Sequence, residues 1–108
     1  MANLAKAAAG LVLDDHCLPV VRKTLKGHLP RNTVWAFGSR AGGTPKPHSD
    51  LDLVNIEPPA VTQATLSLLK LAFEESDLPI RVDIVLFSEL DPSFRELIKQ
   101  AHVPINFN

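Results

Sequence analysis

Between Ser49 and Ile56 the residues Asp50, Leu51, Asp52, Leu53, Val54, Asn55 and Ile56 alternate between polar and apolar. A period of two belongs to a strand with one face packed and the other open, so Leu51 and Leu53 turn to a core while Asp50 and Asp52 share the opposite face. Two carboxylates held side by side need a sheet beneath them, helices over the sheet's other face, and positive charge to offset their repulsion.

Two further runs supply the sheet. Thr33 to Phe37 is short, β-branched and aromatic, bounded by Pro30-Arg31-Asn32 and by Gly38. Ile80 to Phe87 follows Asp77-Leu78-Pro79, and alternation sends Val82, Ile84 and Leu86 one way and Asp83 and Val85 the other.

Helical stripes separate these strands. Leu18, Val21 and Leu25 define a helix over 18–27, with Pro19 tolerated in its first turn and Gly27 and Pro30 stopping it. Its Arg22, Lys23 and Lys26 form a solvated face or one that holds phosphate. After Glu57-Pro58-Pro59, the residues Val61, Ala64, Leu68, Leu69 and Ala72, with Leu66 and Phe73 beside them, predict a second helix ending near Ser76. A third begins at Pro92, capped by Ser88 or Asp91, with Phe94, Leu97, Ile98 and Ala101 as its stripe and Pro104 as its stop. The tail from Val103 to Phe107 adds a strand or covers a core edge. Residues 2–9, rich in Ala and Leu, predict a frayed helix that needs docking to persist.

No repeat, linker or low-complexity segment interrupts this order. The expectation is one αβαβαβα domain over residues 1–108, with its core at about 18–103: an α/β or α+β fold whose small mixed sheet is flanked by helices. At 45% hydrophobic and a net charge of −1, the composition argues against disorder and gives no electrostatic basis for gripping nucleic acid. The lone Cys17 cannot form an internal disulfide, and neither a signal peptide nor a membrane-length apolar run is present, which predicts a cytoplasmic protein off the membrane. Among Leu18, Val20 and Val21, Cys17 reads as a small buried hydrophobe rather than a nucleophile.

The acids direct the chemistry. Mg²⁺ takes hard oxygen ligands and shares its coordination sphere with substrate phosphates, so Asp50 and Asp52 are candidate metal ligands. Asp83 supplies a third carboxylate if its strand lies beside theirs, and three acids on one sheet face suit two ions about 3.5 to 4 Å apart. The Gly38-Ser39 turn offers backbone N–H groups and a hydroxyl to phosphate. Gly38 and Gly43 share P-loop glycine spacing, but Thr44 replaces the required Lys. His16, His28, His48 and His102 lack zinc-ligand spacing and Cys17 has no cysteine partner, so spacing gives a structural zinc site little support. His48 lies nearest the candidate site, as a substrate contact or an exposed loop residue.

Gly38-Ser39-x-Ala41-x-Gly43, Ser49-Asp50-Leu51-Asp52-Leu53 and Val82-Asp83-Ile84-Val85 together resemble the DNA-polymerase-β-like nucleotidyltransferase superfamily, specifically its minimal stand-alone domains. The resemblance runs from about Val34 to Val85 in motifs. It implies a mixed sheet with flanking helices and Mg²⁺-dependent transfer of a nucleoside monophosphate, AMP from ATP, to a hydroxyl with release of pyrophosphate. Gly38 and Ser39 would then hold the triphosphate. Asp50 and Asp52 would bind metal, and Asp83 would complete that site or help deprotonate the acceptor. Arg40 would meet phosphate oxygens or face solvent.

Minimal members of the family are commonly encoded beside a small helical protein, either a HEPN-type ribonuclease toxin that they adenylylate or a helical substrate-binding subunit. The implied state is a hetero-oligomer, and Ser88 to Val103 looks closer to the branch with the substrate-binding subunit. Where many relatives carry Arg before the second glycine this chain has Gly42, one phosphate contact fewer. That departure keeps an alternative in view: a slow or inactive, antitoxin-like module that regulates its partner by binding.

Overall fold

The computed structural model describes residues 10–107, so the helix expected over residues 2–9 lies outside it. Helix α1 spans Cys17–His28, strand β1 Thr33–Phe37, β2 Leu51–Ile56, helix α2 Gln63–Glu74, β3 Val82–Leu86, helix α3 Pro92–Gln100 and β4 Val103–Ile105. Single 3₁₀ turns follow β1, at Gly38–Arg40, and β3, at Phe87–Glu89.

The sheet runs β3-β2-β1-β4, with β1 antiparallel to both its neighbours and β2 parallel to β3. The parallel pair needs a crossover, and α2 supplies it. The apolar tail therefore does both things expected of it: β4 pairs with β1 through Val34 and Ile105, and Ile105 and Phe107 are buried in the core.

That core lies between one sheet face and helices α1 and α2. It joins Val34 and Ala36 of β1, Leu51 and Leu53 of β2, and Ile84 and Leu86 of β3 to Leu18, Val21 and Leu25 of α1 and Leu66, Leu69 and Phe73 of α2. The α1 stripe is as read from sequence. On α2 the buried stripe is narrower than expected: the seam is Leu66, Leu69 and Phe73, while Ala64 and Leu68 are exposed. Three contacts per two turns suffice against a flat sheet, and Thr62 caps the helix by accepting from the Thr65 N–H at 3.1 Å. The helix stops at Glu74, two residues before the expected end.

Strand β2 also differs from its expected pattern. The ladder begins at Leu51, so Asp50 immediately precedes the strand. Asn55 shares the core face with Leu51 and Leu53, lies between Val34 and Leu86, and is fully buried. Its amide oxygen and nitrogen have no hydrogen-bond partner among the described residues. Val54, on the acidic face, is buried as well. That second face is covered in part by α3: Phe37 meets Phe94 edge to face at 5.7 Å, and Trp35 stacks on His102 at 3.8 Å. Of the predicted α3 stripe only Ile98 is buried; Phe94 and Leu97 remain exposed.

Candidate active site

The acids converge because of strand register. Asp52 and Asp83 are directly paired across the parallel β2–β3 ladder, and on its other side Asp52 pairs with Phe37, the last residue of β1. Paired residues of neighbouring strands point to the same sheet face, so the two carboxylates stand side by side. Asp50, exposed just before the strand, is near enough to act on Asp52 electrostatically. Burial first, then Asp83 and then Asp50, push the Asp52 carboxyl above the usual range for an aspartate.

The Gly38–Arg40 turn meets these acids directly. Gly38 has φ +77°, a left-handed conformation that side chains rarely take, and a Cβ placed on it would lie 2.6 Å from Oδ2 of Asp52. Glycine is therefore required twice there, for the backbone and for the carboxylate. Ser39 is exposed in the same turn. Gly43 packs against that turn from the other side, since a Cβ on it would lie 2.8 Å from the Ser39 carbonyl oxygen. Gly42 also has a positive φ, +90°, so although a Cβ on it would meet nothing within 4 Å, the backbone there is one that a side chain strains.

Arg40 is placed in neither of the two ways expected. Only 7% exposed, it is turned into the fold rather than out to solvent. Nε donates to Ser49 O at 2.8 Å, Nη1 to Val12 O at 3.0 Å, and Nη2 to Pro47 O at 3.2 Å and Lys46 O at 3.4 Å. A guanidinium saturated by backbone carbonyls is a clamp on the loop between β1 and β2 rather than a phosphate ligand. No sequence signal separates these uses, because the partners are backbone carbonyls, which residue type does not mark, and one of them, Val12, lies far from Arg40 in the chain.

Beside Gly38 and Asp52 runs an apolar groove of about 450 Å³, lined by Phe37, Ala41, Phe94, Leu97, Ile98 and Ala101. Periodicity alone assigns Phe94, Leu97, Ile98 and Ala101 to a packed helical stripe. The groove is visible only once α3 is seen to cover the sheet incompletely.

A second cluster of possible ligands, not marked by spacing along the chain, forms away from these acids. Among the described residues, Asp14, His16 and Cys17 can each offer a ligand atom such that all lie within 4.8 Å of one another. Asp50, Asp52 and Asp83 are not drawn that close as a trio. Their chemistry nevertheless fits Mg²⁺: the donors are hard oxygens, the middle one destabilised by its neighbours' charge, and Mg²⁺ normally completes its shell with water and phosphate. The Cys17 thiol is held above its ordinary pKa by burial and Asp14, partly offset by Arg40, which agrees with an unreactive cysteine.

A four-stranded mixed sheet with two helices on one face, a third partly covering the other, and paired aspartates beside a Gly-Ser turn defines a polymerase-β-like nucleotidyltransferase fold. The nucleotidyltransferase domain family matches residues 18–105, and the chain belongs to that family. It is 43% identical over 97 residues, 90% of its own length and 85% of the relative's, to MntA of Haemophilus influenzae, a probable protein adenylyltransferase. A solved structure described as a minimal nucleotidyltransferase superposes with a TM-score of 0.67 at 34% identity, covering 85% of this chain and 96% of that one. A toxin–antitoxin complex crystallised with AMP-PNP shares the fold, with a TM-score of 0.68 at 18% identity over 84% of this chain and 73% of that one.

Proposed function

We propose that this protein is a Mg²⁺-dependent adenylyltransferase that moves AMP from ATP to a hydroxyl of a small helical partner protein, or of a substrate that partner presents, releasing pyrophosphate. The observation that carries the reading is the registered pair Asp52 and Asp83 with a glycine held against Asp52. In this reading Asp50, Asp52 and Asp83 hold the metal. When bound, Mg²⁺ neutralises phosphate charge and acidifies the attacking hydroxyl.

The chain's own groups do the rest. Gly38 and Ser39 present N–H groups and a hydroxyl to the β- and γ-phosphates, which fixes the α-phosphorus for in-line attack. The acceptor oxygen bonds to that phosphorus while the bond to the pyrophosphate bridging oxygen breaks. Asp83, exposed at the end of the acid row, takes the hydroxyl proton at a carboxylate oxygen or passes it to water. Arg40 acts at one remove by holding the loop that carries Ser49 and Asp50.

A partner is favoured by the apolar side chains left in water: Phe94 and Leu97 next to the acids, Leu68 and Leu71 on α2. The same observation supports the second reading, a module that regulates its partner by binding alone. Incubation with α-labelled ATP, Mg²⁺ and the protein encoded beside it separates the two. Label transferred to the partner or its substrate, and lost in Asp52→Asn and Asp83→Asn, supports the enzyme. A tight complex with no transfer, unchanged by either substitution, supports the binding module.

A further inference from the structure

We propose that Asp14, His16 and Cys17, on the segment entering α1, form a binding site for a thiophilic divalent cation, with Zn²⁺ the best fit. Their ligand atoms lie mutually within 4.8 Å. An ion about 2.3 Å from sulfur and about 2.0 to 2.2 Å from nitrogen and oxygen sets tetrahedral ligand atoms roughly 3.3 to 3.8 Å apart. The exposed segment holding Asp14 and His16 therefore closes on an ion with a shift of about an ångström.

Among the described residues none of the three side chains makes a hydrogen bond. Cys17 is 2% exposed and lines a cavity of about 520 Å³ together with Asp14, Lys46 and His48. Among the described residues its thiol makes no hydrogen bond, nor does the Asp14 carboxylate. His16 occupies the N-cap position of α1, yet its side chain does not cap the helix.

The donor set selects its metal. One thiolate and one carboxylate cancel a dication's charge, and the neutral imidazole adds none, so the partly buried setting is tolerable. Mg²⁺, which demands oxygen and octahedral geometry, is excluded by the sulfur, so this site and the three catalytic acids would not compete. Three protein ligands leave a fourth position, open to water or to His48 on the same cavity. Binding releases the thiol proton to solvent.

The position gives the ion a consequence. Val12, two residues before Asp14, donates its N–H to Arg40 O at 2.7 Å and accepts from Arg40 Nη1 at 3.0 Å, and Leu11 bridges to Ala41. An ion joining Asp14 and His16 to the first turn of α1 would fasten the strap against which Arg40 holds the β1–β2 loop. Metal loading would thus brace that loop from behind.

The test is titration of the chelator-stripped full chain with CoCl₂. One equivalent should produce the thiolate-to-cobalt charge-transfer absorption and the visible bands of a tetrahedral site, both abolished by one equivalent of ZnCl₂. Cys17→Ser should lose the charge-transfer band. His16→Ala, at an exposed position, should weaken cobalt binding by about tenfold or more. Asp52→Asn should keep both spectral features. Equimolar ZnCl₂ should raise the melting temperature of the natural chain and not that of His16→Ala. Absence of the charge-transfer band at equimolar cobalt, its persistence in Cys17→Ser, or undiminished binding in His16→Ala would overturn the proposal.

Discussion

Gly38 and Asp52 are best understood as one unit. The carboxylate occupies the space that a Cβ on residue 38 would need, and φ there is +77°. Gly38→Ala is expected to displace the Asp52 carboxylate, costing about 1 kcal/mol in stability but about a hundredfold in transfer rate, read by thermal melting and by label transfer. Asp52 itself is held in an unfavourable charge state by burial, Asp83 and Asp50. Because its folded pKa is raised, the folded chain keeps a proton that the unfolded chain loses. The associated stability is full below the ordinary aspartate pKa and lost as pH rises through the raised value. Without metal, Asp52→Asn should therefore melt higher than the natural chain at pH 7, with the gap closing below about pH 4, while transfer is abolished. Melts across pH in the presence of chelator check both parts.

Strand β2 and the loop before it show how elements divide the labour. The ladder fixes Asp52 beside Asp83, and the same register drives Asn55 into the core between Val34 and Leu86 with its amide unpaired among the described residues. Asn55→Val, which suits a strand and removes a buried polar group, should raise stability by about 1 to 2 kcal/mol and leave transfer intact; denaturant melts and label transfer measure this. After the 3₁₀ turn at Gly38–Arg40 and the Leu11–Ala41 bridge, the connection to β2 has no regular structure, and Arg40 replaces the ladder by supplying donors to Val12, Lys46, Pro47 and Ser49 carbonyls. Arg40→Lys keeps the charge but loses the fork. It should cost about 2 to 3 kcal/mol and lower transfer without changing the acids, with a rise in proteolysis between Ala41 and Asp50 as the specific readout.

The whole molecule is a sheet covered fully on one face and partly on the other. Helices α1 and α2 close the core side, whereas α3 leaves Phe94 and, at 62% exposure, Leu97 in water beside the acids. Under the proposed function this asymmetry has a use, since an acceptor would reach Asp83 while a partner covered the apolar surface nearby. Leu97→Asp should leave the melting temperature nearly unchanged, because an exposed position contributes within about 0.5 kcal/mol, yet weaken partner association about tenfold or more. Calorimetry with the partner checks the second half. No helix among the described residues is long and apolar enough to cross a membrane.

Local pattern was sufficient for much of this. β1 was legible from Thr33 to Phe37 because β-branched and aromatic residues stood between breakers, and the cores of β2 and β3 were legible from their alternation. The acids Asp50, Asp52 and Asp83 and the Gly38 turn were legible because their chemistry is carried by residue type and short spacing. What the chain's order could not carry was anything decided by contact between distant segments. The pairing of Asp52 with Asp83 depends on strand register, the inward turn of Arg40 on carbonyls contributed by separate loops, the burial of Asn55 on which face the ladder chose, and the exposure of Leu68 and Leu97 on how far each helix covers the sheet. The meeting of Asp14, His16 and Cys17 belongs to the same class. Periodicity reports which residues share a face; only packing decides what that face meets, because burial and coordination are properties of neighbours in space.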